Sequence, residues 1–364
     1  MIIAAIDRRT DHKMAQPTMA AAVAPTYGPP SVFELQQVPI PVVAADQLLV
    51  RVRATCVNPA DAKQRSGNLK LVMKHAFPLV LGQDFAGVVE QVGARCTRFK
   101  VGDEVFGSTA PRNSCSAELV AVYERETQPK PAHLSWNEAA AAPTVVATAY
   151  RGVVTHGRAA EGQRVLVLGA AGGVGHVMVQ LLRRRGCQVW GTCSPRNKPV
   201  LLNEYGIETF DYDSHWETHA EFRDDRGRGS LDLVLDAAGG EENYRKGVAC
   251  LRKGGRYVSA VGPVLHGGSE PITYGTLAST ASTLLPRFAF DAFRSTSYKL
   301  YLGFDVGDLG CDEVATWLAM TEESQQALKL RLDPSAFTLA TLGDAHAKVE
   351  TGHSDGKLVI VVSA

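Results

Sequence analysis

A single glycine-rich stretch constrains this chain more than any other feature. Residues 163–186, QRVLVLGAAGGVGHVMVQLLRRRG, combine a short apolar run, a cluster of glycines and a helical pattern of apolar residues. Ala170, Gly172 and Gly175 form an A-x-G-x-x-G pattern, where larger side chains would block a tight turn and keep the backbone from a pyrophosphate. A helix starting near Gly173 would direct free N–H groups at that phosphate. The stretch predicts a dinucleotide-binding turn, with a purely structural glycine turn as the alternative.

The surrounding pattern indicates two kinds of structure. After the turn, apolar strands alternate with helices, and further strands are expected at Leu231–Gly240 and Gly254–Gly262, which is typical of a parallel, doubly wound α/β sheet. Before the turn, Gln47–Cys56 alternates apolar and polar residues, and short β-rich segments follow between glycines and prolines, as in an antiparallel, barrel-like domain. We also expect a helix near Asp312–Leu328 and a last strand at Gly356–Val362.

Length and composition exclude several classes of protein. The chain has 364 residues, which is enough for about two domains. Its 38 Lys and Arg balance 38 Asp and Glu, so no basic excess points to nucleic acid. No run of about 18 apolar residues could span a membrane. The seven cysteines are scattered and form no CxxC pair, so we expect reduced thiols inside a cell.

The beginning of the chain carries little structural signal. We expect residues 1–18 to be a flexible extension. A mitochondrial presequence is the alternative, but Asp7 and Asp11 weaken it because such presequences are poor in acidic residues. A cytoplasmic location is therefore expected, with a mitochondrial one as the alternative.

The residues after the second strand of the predicted sheet bear on the choice of cofactor. A site for NAD would place Asp or Glu there, to bind the ribose 2′-hydroxyl. This chain has Ser194, Arg196 and Lys198, and no carboxylate before Glu204. Hydroxyl, guanidinium and ammonium groups suit a 2′-phosphate. The pattern favours NADPH, and a solvated basic helix start is the alternative.

Several motifs, in one order over most of the chain, carry a resemblance to a known family. They are NPADAKQRSG, LGQDFAGVV, LGAAGGVG, LDAAGG and the tail KVETGHSDGKLVIVV. From about Met19 onward the chain resembles the medium-chain dehydrogenase/reductases, in particular their zinc-free quinone oxidoreductase branch. It resembles the reticulon-interacting mitochondrial oxidoreductases and, more loosely, ζ-crystallin-like quinone reductases and fungal trans-acting enoyl reductases.

The resemblance implies a two-domain α/β architecture. A Rossmann doubly wound parallel sheet would bind NADPH, over residues 146–307. A GroES-like β-barrel catalytic domain would comprise residues 19–145 and 308–364. Sheets of this family often extend edge to edge through their last strand, so a homodimer is expected. The Pro263–Tyr301 segment matches no motif and is expected to help shape the substrate pocket.

The resemblance also implies that this chain has no catalytic metal. Asn58 falls where the zinc-dependent relatives have a cysteine ligand, Gln83 falls on their histidine and Asp84 on their glutamate. An Asn–Gln pair does not supply the ligands that zinc prefers. Cys56 lies near Asn58, and we interpret it as a small buried residue rather than a ligand.

The remaining site residues are carried over one at a time from the resemblance. The residues expected at the pyrophosphate are Ala170, Gly172, Gly173 and Val174. Those expected at the 2′-phosphate are Ser194, Lys198 and Tyr212. Those expected near the nicotinamide are Thr148, Ala238, Gly239, Val261 and the tail residue Lys357. Two alternatives stay open: Tyr212 as a packed aromatic residue, and Thr148 as a helix-interior hydroxyl bonded to its own backbone.

Without a metal, the developing negative charge of the reaction must be stabilised by hydrogen bonds. Hydride transfer to a quinone or to the C=C of an enone would place that charge on a carbonyl oxygen, and we expect Asn58 to donate to it. Asp61 is expected to brace the loop rather than act as an acid or base. The proton could come from water, Tyr274 or Tyr298.

Two other functions compete with a reductase of free substrates. One is a trans-acting enoyl reductase that receives its substrate on the carrier protein of a polyketide synthase. The other is a protein that binds NADPH as a structural or sensing ligand and turns nothing over.

Overall fold

The computed structural model describes residues 16–71, 73–261, 297–301, 309–310, 312–320 and 327–362, together with residues 273, 282, 284, 287 and 324. The expected extension up to residue 15, Tyr274 and most of the Pro263–Tyr301 segment lie outside the described residues. None of the helices within these ranges has the length and apolar character needed to cross a bilayer.

The N-terminal part of the chain forms antiparallel strands, as its alternating pattern predicts. These strands are β1 (Thr18–Ala24), β2 (Glu34–Pro39), β3 (Gln47–Val57), β4 (Leu79–Val80), β5 (Asp84–Val92), β6 (Glu104–Ser108), β7 (Leu119–Tyr123) and β8 (Thr127–Pro129). β3 pairs with both β5 and β7, and its second half is buried from Ala54 to Val57. The end of β3 therefore lies in the interior of the protein.

Two helices flank this part of the molecule. Helix α1 (Pro59–Ser66) starts where β3 ends, with Asn58 at its N-cap. Helix α2 (Trp136–Tyr150) starts at Ser135, whose hydroxyl accepts from the Glu138 N–H, and it continues as one π-helical turn. Its run of alanines lets the helix pack closely against β3 and β5.

The middle of the chain forms the predicted doubly wound sheet. Its elements are β9 (Arg164–Leu168), α3 (Gly175–Arg184), β10 (Gln188–Cys193), α4 (Lys198–Tyr205), β11 (Glu208–Asp211), β12 (Leu231–Asp236), α5 (Glu241–Cys250), β13 (Leu251–Ser259) and β14 (Ser297–Leu300). The six strands are all parallel, in the order β11-β10-β9-β12-β13-β14. This is the Rossmann order, in which ligands bind at the carboxyl ends of the strands. The site lies at the topological switch point between the neighbouring strands β9 and β12. The predicted fold class is confirmed.

The C-terminal part of the chain returns to the first sheet. It contains α6 (Asp312–Leu318), β15 (Phe337–Thr338), α7 (Leu342–Glu350) and β16 (Leu358–Val361). β16 pairs antiparallel with the end of β3, so that Leu358 lies opposite Val57. This pairing brings Lys357, at the start of β16, next to the residues that follow β3.

Two predicted helices have other bounds in the structure. The helix expected over Asp312–Leu328 ends at Leu318, because the Met320 N–H donates to the Trp317 carbonyl three residues back and closes the last turn. Helix α3 begins at Gly175 rather than near Gly173, since the glycine turn itself occupies the preceding residues.

Candidate active site

Asn58 lies at the junction of β3 and α1, and it is buried. Pro59 starts the helix, where a missing N–H costs nothing because the first helical N–H groups have no intrahelical partner. The backbone N–H of Asn58 donates to the Asp61 carboxylate at 2.7 Å. Asp61 therefore braces this turn.

The amide of Asn58 is held between a cation and an anion. Its Oδ1 accepts from the Lys357 ammonium, and its Nδ2 donates to Asp84 Oδ2 at 3.0 Å. A lysine can only donate and a carboxylate can only accept, so the chemistry of the two neighbours fixes which way the amide points. Within the described residues, the only further neighbour of the amide nitrogen is the Cys56 sulfur, at 3.9 Å. The second N–H of Asn58 is therefore engaged only in this long bond to sulfur, which a ligand oxygen could replace.

Asp84 is the centre of this cluster. Besides Asn58, its carboxylate accepts from the Thr144 hydroxyl at 2.7 Å and from the Cys56 thiol at 3.1 Å. β3, β5, α2 and the chain before β16 therefore converge on one buried carboxylate. We name these five residues, Cys56, Asn58, Asp84, Thr144 and Lys357, the amide cluster.

Burial sets the protonation of the groups in and beside the amide cluster. Desolvation raises the pKa of the Asp61 carboxyl to about 7, although its bond from the Asn58 backbone opposes the shift. Desolvation also raises the pKa of the Cys56 thiol well above its ordinary value, so the thiol stays protonated. For Lys357, burial disfavours the ammonium, whereas the neighbouring Cys56 sulfur and the Asp84 and Asp61 carboxyl groups outweigh burial and raise its pKa. Lys357 is therefore charged within the amide cluster.

The residues of this site do not fit a catalytic zinc ion. Asn58 and Gln83 offer amides, and the nearest ligand types, Cys56 and Asp84, already bond to each other. The Lys357 ammonium lies among them and would repel a divalent cation. In the described part of the chain, no three His, Cys, Asp or Glu side chains form a group that could hold a metal ion.

The glycine turn between β9 and α3 is shaped to receive a phosphate. Gly169 has a φ of +76°, and a Cβ on Gly175 would lie 2.1 Å from the Gly169 carbonyl oxygen. The N–H groups of Gly173 and Val174 donate to no other group of the described chain. Such free donors at a helix N-terminus bind anions. The turn fits the pyrophosphate of a dinucleotide.

Lys357 connects this turn to the amide cluster. A Cβ on Gly173 would lie 3.1 Å from Lys357 Cδ, so the lysine side chain passes directly over the turn before its ammonium reaches Asn58. The predicted catalytic residue and the predicted phosphate turn are therefore neighbours through one side chain.

The end of β12 adjoins the glycine turn, since a Cβ on Gly169 would lie 3.3 Å from Ala238 Cβ. We use the name cofactor groove for the region bounded by the amide cluster, the glycine turn, the ends of β12 and β13 and the loop after β10. Asp236 accepts from the N–H groups of Ala238 and Gly239 at 3.0 and 2.6 Å, and from the Ser259 hydroxyl at 2.8 Å. The Val261 N–H in turn donates to Ser259 at 3.4 Å. Three residues expected near the nicotinamide are thus joined through Asp236, which the sequence analysis did not single out.

Thr148 and Tyr298 occupy different positions relative to the groove. The Thr148 carbonyl accepts from the Tyr301 hydroxyl at 2.8 Å, which ties α2 to the segment after β14. Tyr298 is buried among tyrosines, with ring centroids 5.3 Å from Tyr244 and 5.9 Å from Tyr257. Because it is packed in the sheet beside β13, Tyr298 is not a neighbour of Asn58 and is a poor source of the proton.

The loop after β10 gathers the groups expected at the 2′-phosphate. Ser194 Oγ accepts from Asn197 Nδ2 at 3.1 Å, and Lys198 starts helix α4. Tyr212 is 47% exposed, so it is not the packed aromatic residue of the alternative. Arg331, which the sequence analysis missed, donates to Asn197 Oδ1 at 3.3 Å.

The residues that the sequence did not reveal were overlooked for the same reason. Arg331 and Thr144 reach the site from distant parts of the chain, and neither lies in a motif with a recognisable spacing. Asp84 was placed by its motif, but its bonds to three other elements are a property of the packing. Only the arrangement in space reveals them.

Comparison with known proteins agrees with this architecture. A model of the alcohol dehydrogenase GroES-like domain matches residues 44–154, and a model named zinc-binding dehydrogenase matches residues 206–360. Quinone oxidoreductase of Mus musculus is 33% identical over 241 residues, which cover 64% of this chain and 70% of that protein. This chain belongs to the medium-chain dehydrogenase/reductase family.

Other relatives carry names of related reductases. A 2-methylene-furan-3-one reductase of Solanum lycopersicum is 36% identical over 252 residues, covering 66% of this chain and 62% of that one. The mitochondrial NAD(P)H oxidoreductase RTN4IP1 of Bos taurus is 28% identical over 365 residues, covering 94% and 89%. A solved alcohol dehydrogenase superfamily protein of Novosphingobium aromaticivorans has a TM-score of 0.78 at 29% identity, covering 95% and 100%. The chain is an oxidoreductase of this family.

Proposed function

We propose that this protein is an NADPH-dependent, metal-independent reductase that transfers hydride to a quinone or to the activated C=C of an α,β-unsaturated carbonyl compound. The observation that carries the proposal is the Asn58 amide, fixed between Lys357 and Asp84, whose second N–H has only a 3.9 Å bond to the Cys56 sulfur that a substrate oxygen could replace. The motif resemblance puts Asn58 at the position where the zinc-dependent relatives have a cysteine ligand. A preorganised hydrogen-bond donor, the Asn58 amide, takes the place of the metal ion as the group that stabilises negative charge.

The residues act by positioning and by stabilising charge. NADPH, when bound, supplies the hydride. Asn58 would donate to the substrate carbonyl oxygen, on which negative charge collects during the reaction. Lys357 strengthens that donor, because a cation at Oδ1 polarises the amide and makes its N–H more acidic. Asp84 would not oppose the charge strongly, since Lys357, Thr144 and Cys56 surround its carboxylate with donors or positive charge.

The names of two relatives support the proposed class of hydride acceptor. The murine relative is named for quinones and the tomato relative for an exocyclic enone. Both kinds of substrate place a carbonyl oxygen in conjugation with the carbon that receives hydride, so one donor at Asn58 serves both. The choice of NADPH is supported by Ser194 and Lys198 at the end of β10, where no carboxylate stands.

A panel of substrates with matched variants tests the proposal. Single-turnover hydride transfer is measured with NADPH and a set of quinones, enones and carrier-bound enoyl thioesters. Asn58→Ala should slow transfer roughly ten- to a hundredfold with unchanged NADPH affinity, because the charge is delocalised and one donor is removed. Asn58→Asp should be slower still, since it adds negative charge where negative charge develops.

The outcomes separate the competing functions. Turnover of carrier-bound substrate alone would replace this proposal with the trans-acting enoyl reductase, and tight NADPH binding without any turnover would replace it with a sensor. Melting temperatures of the same preparations identify a purely structural role of Asn58, in which stability falls while the transfer rate stays at the wild-type value.

The quaternary structure is part of the proposal. Among the strands that the structure describes, β14 is the outer one on its side of the parallel sheet, and a second copy could extend the sheet there. The edge supports the expected homodimer, and a 39.0 kDa particle in light scattering at micromolar concentration would exclude it.

A further inference from the structure

Arg331 joins two loops that belong to different parts of the groove. Its Nη1 donates to the Ala171 carbonyl in the glycine turn at 3.1 Å, and its Nη2 donates to Asn197 Oδ1 in the loop after β10 at 3.3 Å. A guanidinium has five N–H donors, and these two bonds use two of them. The other three N–H donors form no hydrogen bond with a described residue.

The backbone holds this arginine in place on both sides. Its N–H donates to His176 Nε2 at 3.3 Å, and its carbonyl accepts from the Lys357 N–H at 2.8 Å. Burial lowers the pKa of His176 to about 4, so its ring is neutral and Nε2 can accept while Nδ1 bonds to Gly172. Arg331 therefore starts from a fixed backbone rather than from a mobile loop.

Arg331 and Lys198 lie near the same strand end without an ion-pair partner of their own. Among the residues that the structure describes, no carboxylate lies within 4.0 Å of the cationic groups of Arg331 or Lys198. Both cations act on Cys193 at the end of β10: burial raises the pKa of that thiol, a bond with Thr209 and the charges of Lys198 and Arg331 lower it, and Asp211 raises it. Two cations near one strand end, neither in a direct ion pair, are an arrangement that a bound anion would complete.

We infer that Arg331 binds the 2′-phosphate of the adenosine ribose and, with Ser194 and Lys198, sets the preference for NADPH over NADH; this inference rests on the proposed function. The pyrophosphate already has the free N–H groups of Gly173 and Val174 at the start of α3. Arg331 instead reaches toward Asn197, which bonds to Ser194. Its position favours a phosphate on the ribose rather than one in the turn.

The inference makes the cofactor a link between two segments far apart in the chain. Ser194 and Lys198 belong to the doubly wound sheet, whereas Arg331 precedes β16, which pairs with β3. A 2′-phosphate would therefore hold the segment before β16 against the loop after β10. A cofactor that lacks this phosphate would leave the contact unmade.

Binding of two small fragments tests the inference without any hydride chemistry. Titration calorimetry of the full-length protein with 2′,5′-ADP and with 5′-AMP compares ligands that differ only in the 2′-phosphate. For Arg331→Met, we expect the Kd of 2′,5′-ADP to rise roughly ten- to thirtyfold and that of 5′-AMP to change less than about threefold. Arg331→Lys should lie between, because it keeps the charge but loses the planar fork.

A matched arginine controls for loss of an arginine–carbonyl bond. Arg183 donates to the Gly206 carbonyl at 2.7 Å between α3 and α4, and Arg183→Met should leave both Kd values unchanged. Melting temperatures of all variants detect any loss of folded protein. Because Arg331→Lys retains a donor for Ala171 and Asn197, it remains informative if Arg331→Met unfolds.

Each of three possible results would contradict a different statement. If the wild-type protein binds both fragments equally, the proposed NADPH preference is wrong and the inference falls with it. If the wild-type protein prefers 2′,5′-ADP and Arg331→Met keeps that preference, only the role of Arg331 is wrong. If Arg331→Met weakens both fragments equally, the arginine supports the turn and not the 2′-phosphate.

Discussion

The two ends of the predicted cofactor groove are built in opposite ways. At the amide cluster, the cation Lys357 and the anion Asp84 lie in the interior and both bond to Asn58. At the loop after β10, Lys198 and Arg331 have no carboxylate partner among the described residues. At the amide cluster the charges are balanced by the protein's own residues, whereas at the loop after β10 the cations would be balanced by a bound anion.

This difference separates groups that hold the fold from groups that select the ligand. A buried charge without its partner is costly, so the amide cluster should respond to substitution by unfolding as well as by losing activity. A partly exposed cation is solvated when the ligand is absent, so its removal should change affinity and little else. The following experiments test this division.

The largest expected effect is on stability, from Lys357→Met. The substitution leaves the Asp84 and Asp61 carboxylates without the nearby ammonium, and we expect the free energy of unfolding to fall by about 3–5 kcal/mol. Denaturant unfolding measures it. Lys130→Met is the control, because Lys130 is equally buried but its partner Glu104 is 52% exposed, and it should cost less than about 1 kcal/mol.

A double substitution decides whether the charge pair causes this loss. Asp84→Asn removes the anion that Lys357 compensates, so the double variant with Lys357→Met should lose less stability than the two single losses added together. Additive losses would show that Lys357 acts through packing across the glycine turn, and the contrast between the two ends of the groove would then disappear.

A smaller effect should appear in the pH dependence of stability. Burial raises the pKa of Asp61 to about 7, so between pH ~4 and ~7 the folded state binds more protons than the unfolded state. The free energy of unfolding of the wild-type protein should therefore fall by roughly 2–4 kcal/mol, relative to that of Asp61→Asn, as the pH rises through this range. Above pH ~8 the difference between the two proteins should stay constant.

Asp333→Asn provides a control of opposite sign. Although burial opposes it, bonds from Lys348 and from backbone N–H groups lower the pKa of Asp333 to about 2. Its stabilising contribution is lost only as the pH falls below about 4, so the difference from wild type should be flat over the range where Asp61 acts. A wild-type curve parallel to that of Asp61→Asn would show that Asp61 stays ionised.

The regular parts of this protein could be predicted from its sequence because they follow from local patterns. The run before Gly169, the glycines and the amphipathic helix after them each have a distinct period, and the structure confirms the resulting parallel sheet. The helix from Asp312 was predicted too long, since the residues beyond Leu318 favour helix locally, whereas the end of the helix depends on how its last turn closes.

The site could be predicted only where a motif carried it. Asn58 and Asp84 lie in recognisable segments, but their bond to each other depends on the pairing of β3 with β5. Arg331 follows no motif, and its contacts to Ala171 and Asn197 arise only after the whole chain has folded. Sequence patterns report local conformation, whereas these contacts depend on tertiary geometry.

The smallest expected effect is on cofactor affinity, from Lys198→Ala. The side chain is partly exposed, so loss of one charge-assisted bond to a 2′-phosphate should raise the Kd of NADPH roughly five- to tenfold. The Kd of NADH, which lacks that phosphate, should stay within about twofold. Fluorescence titration with each cofactor measures both, and Lys253→Ala, at an exposed lysine in β13, controls for the change in net charge. Equal changes for the two cofactors would mean that Lys198 supports helix α4 rather than the phosphate. No change for either would identify it as the solvated start of that helix, and the open end of the groove would then rest on Arg331 and Ser194.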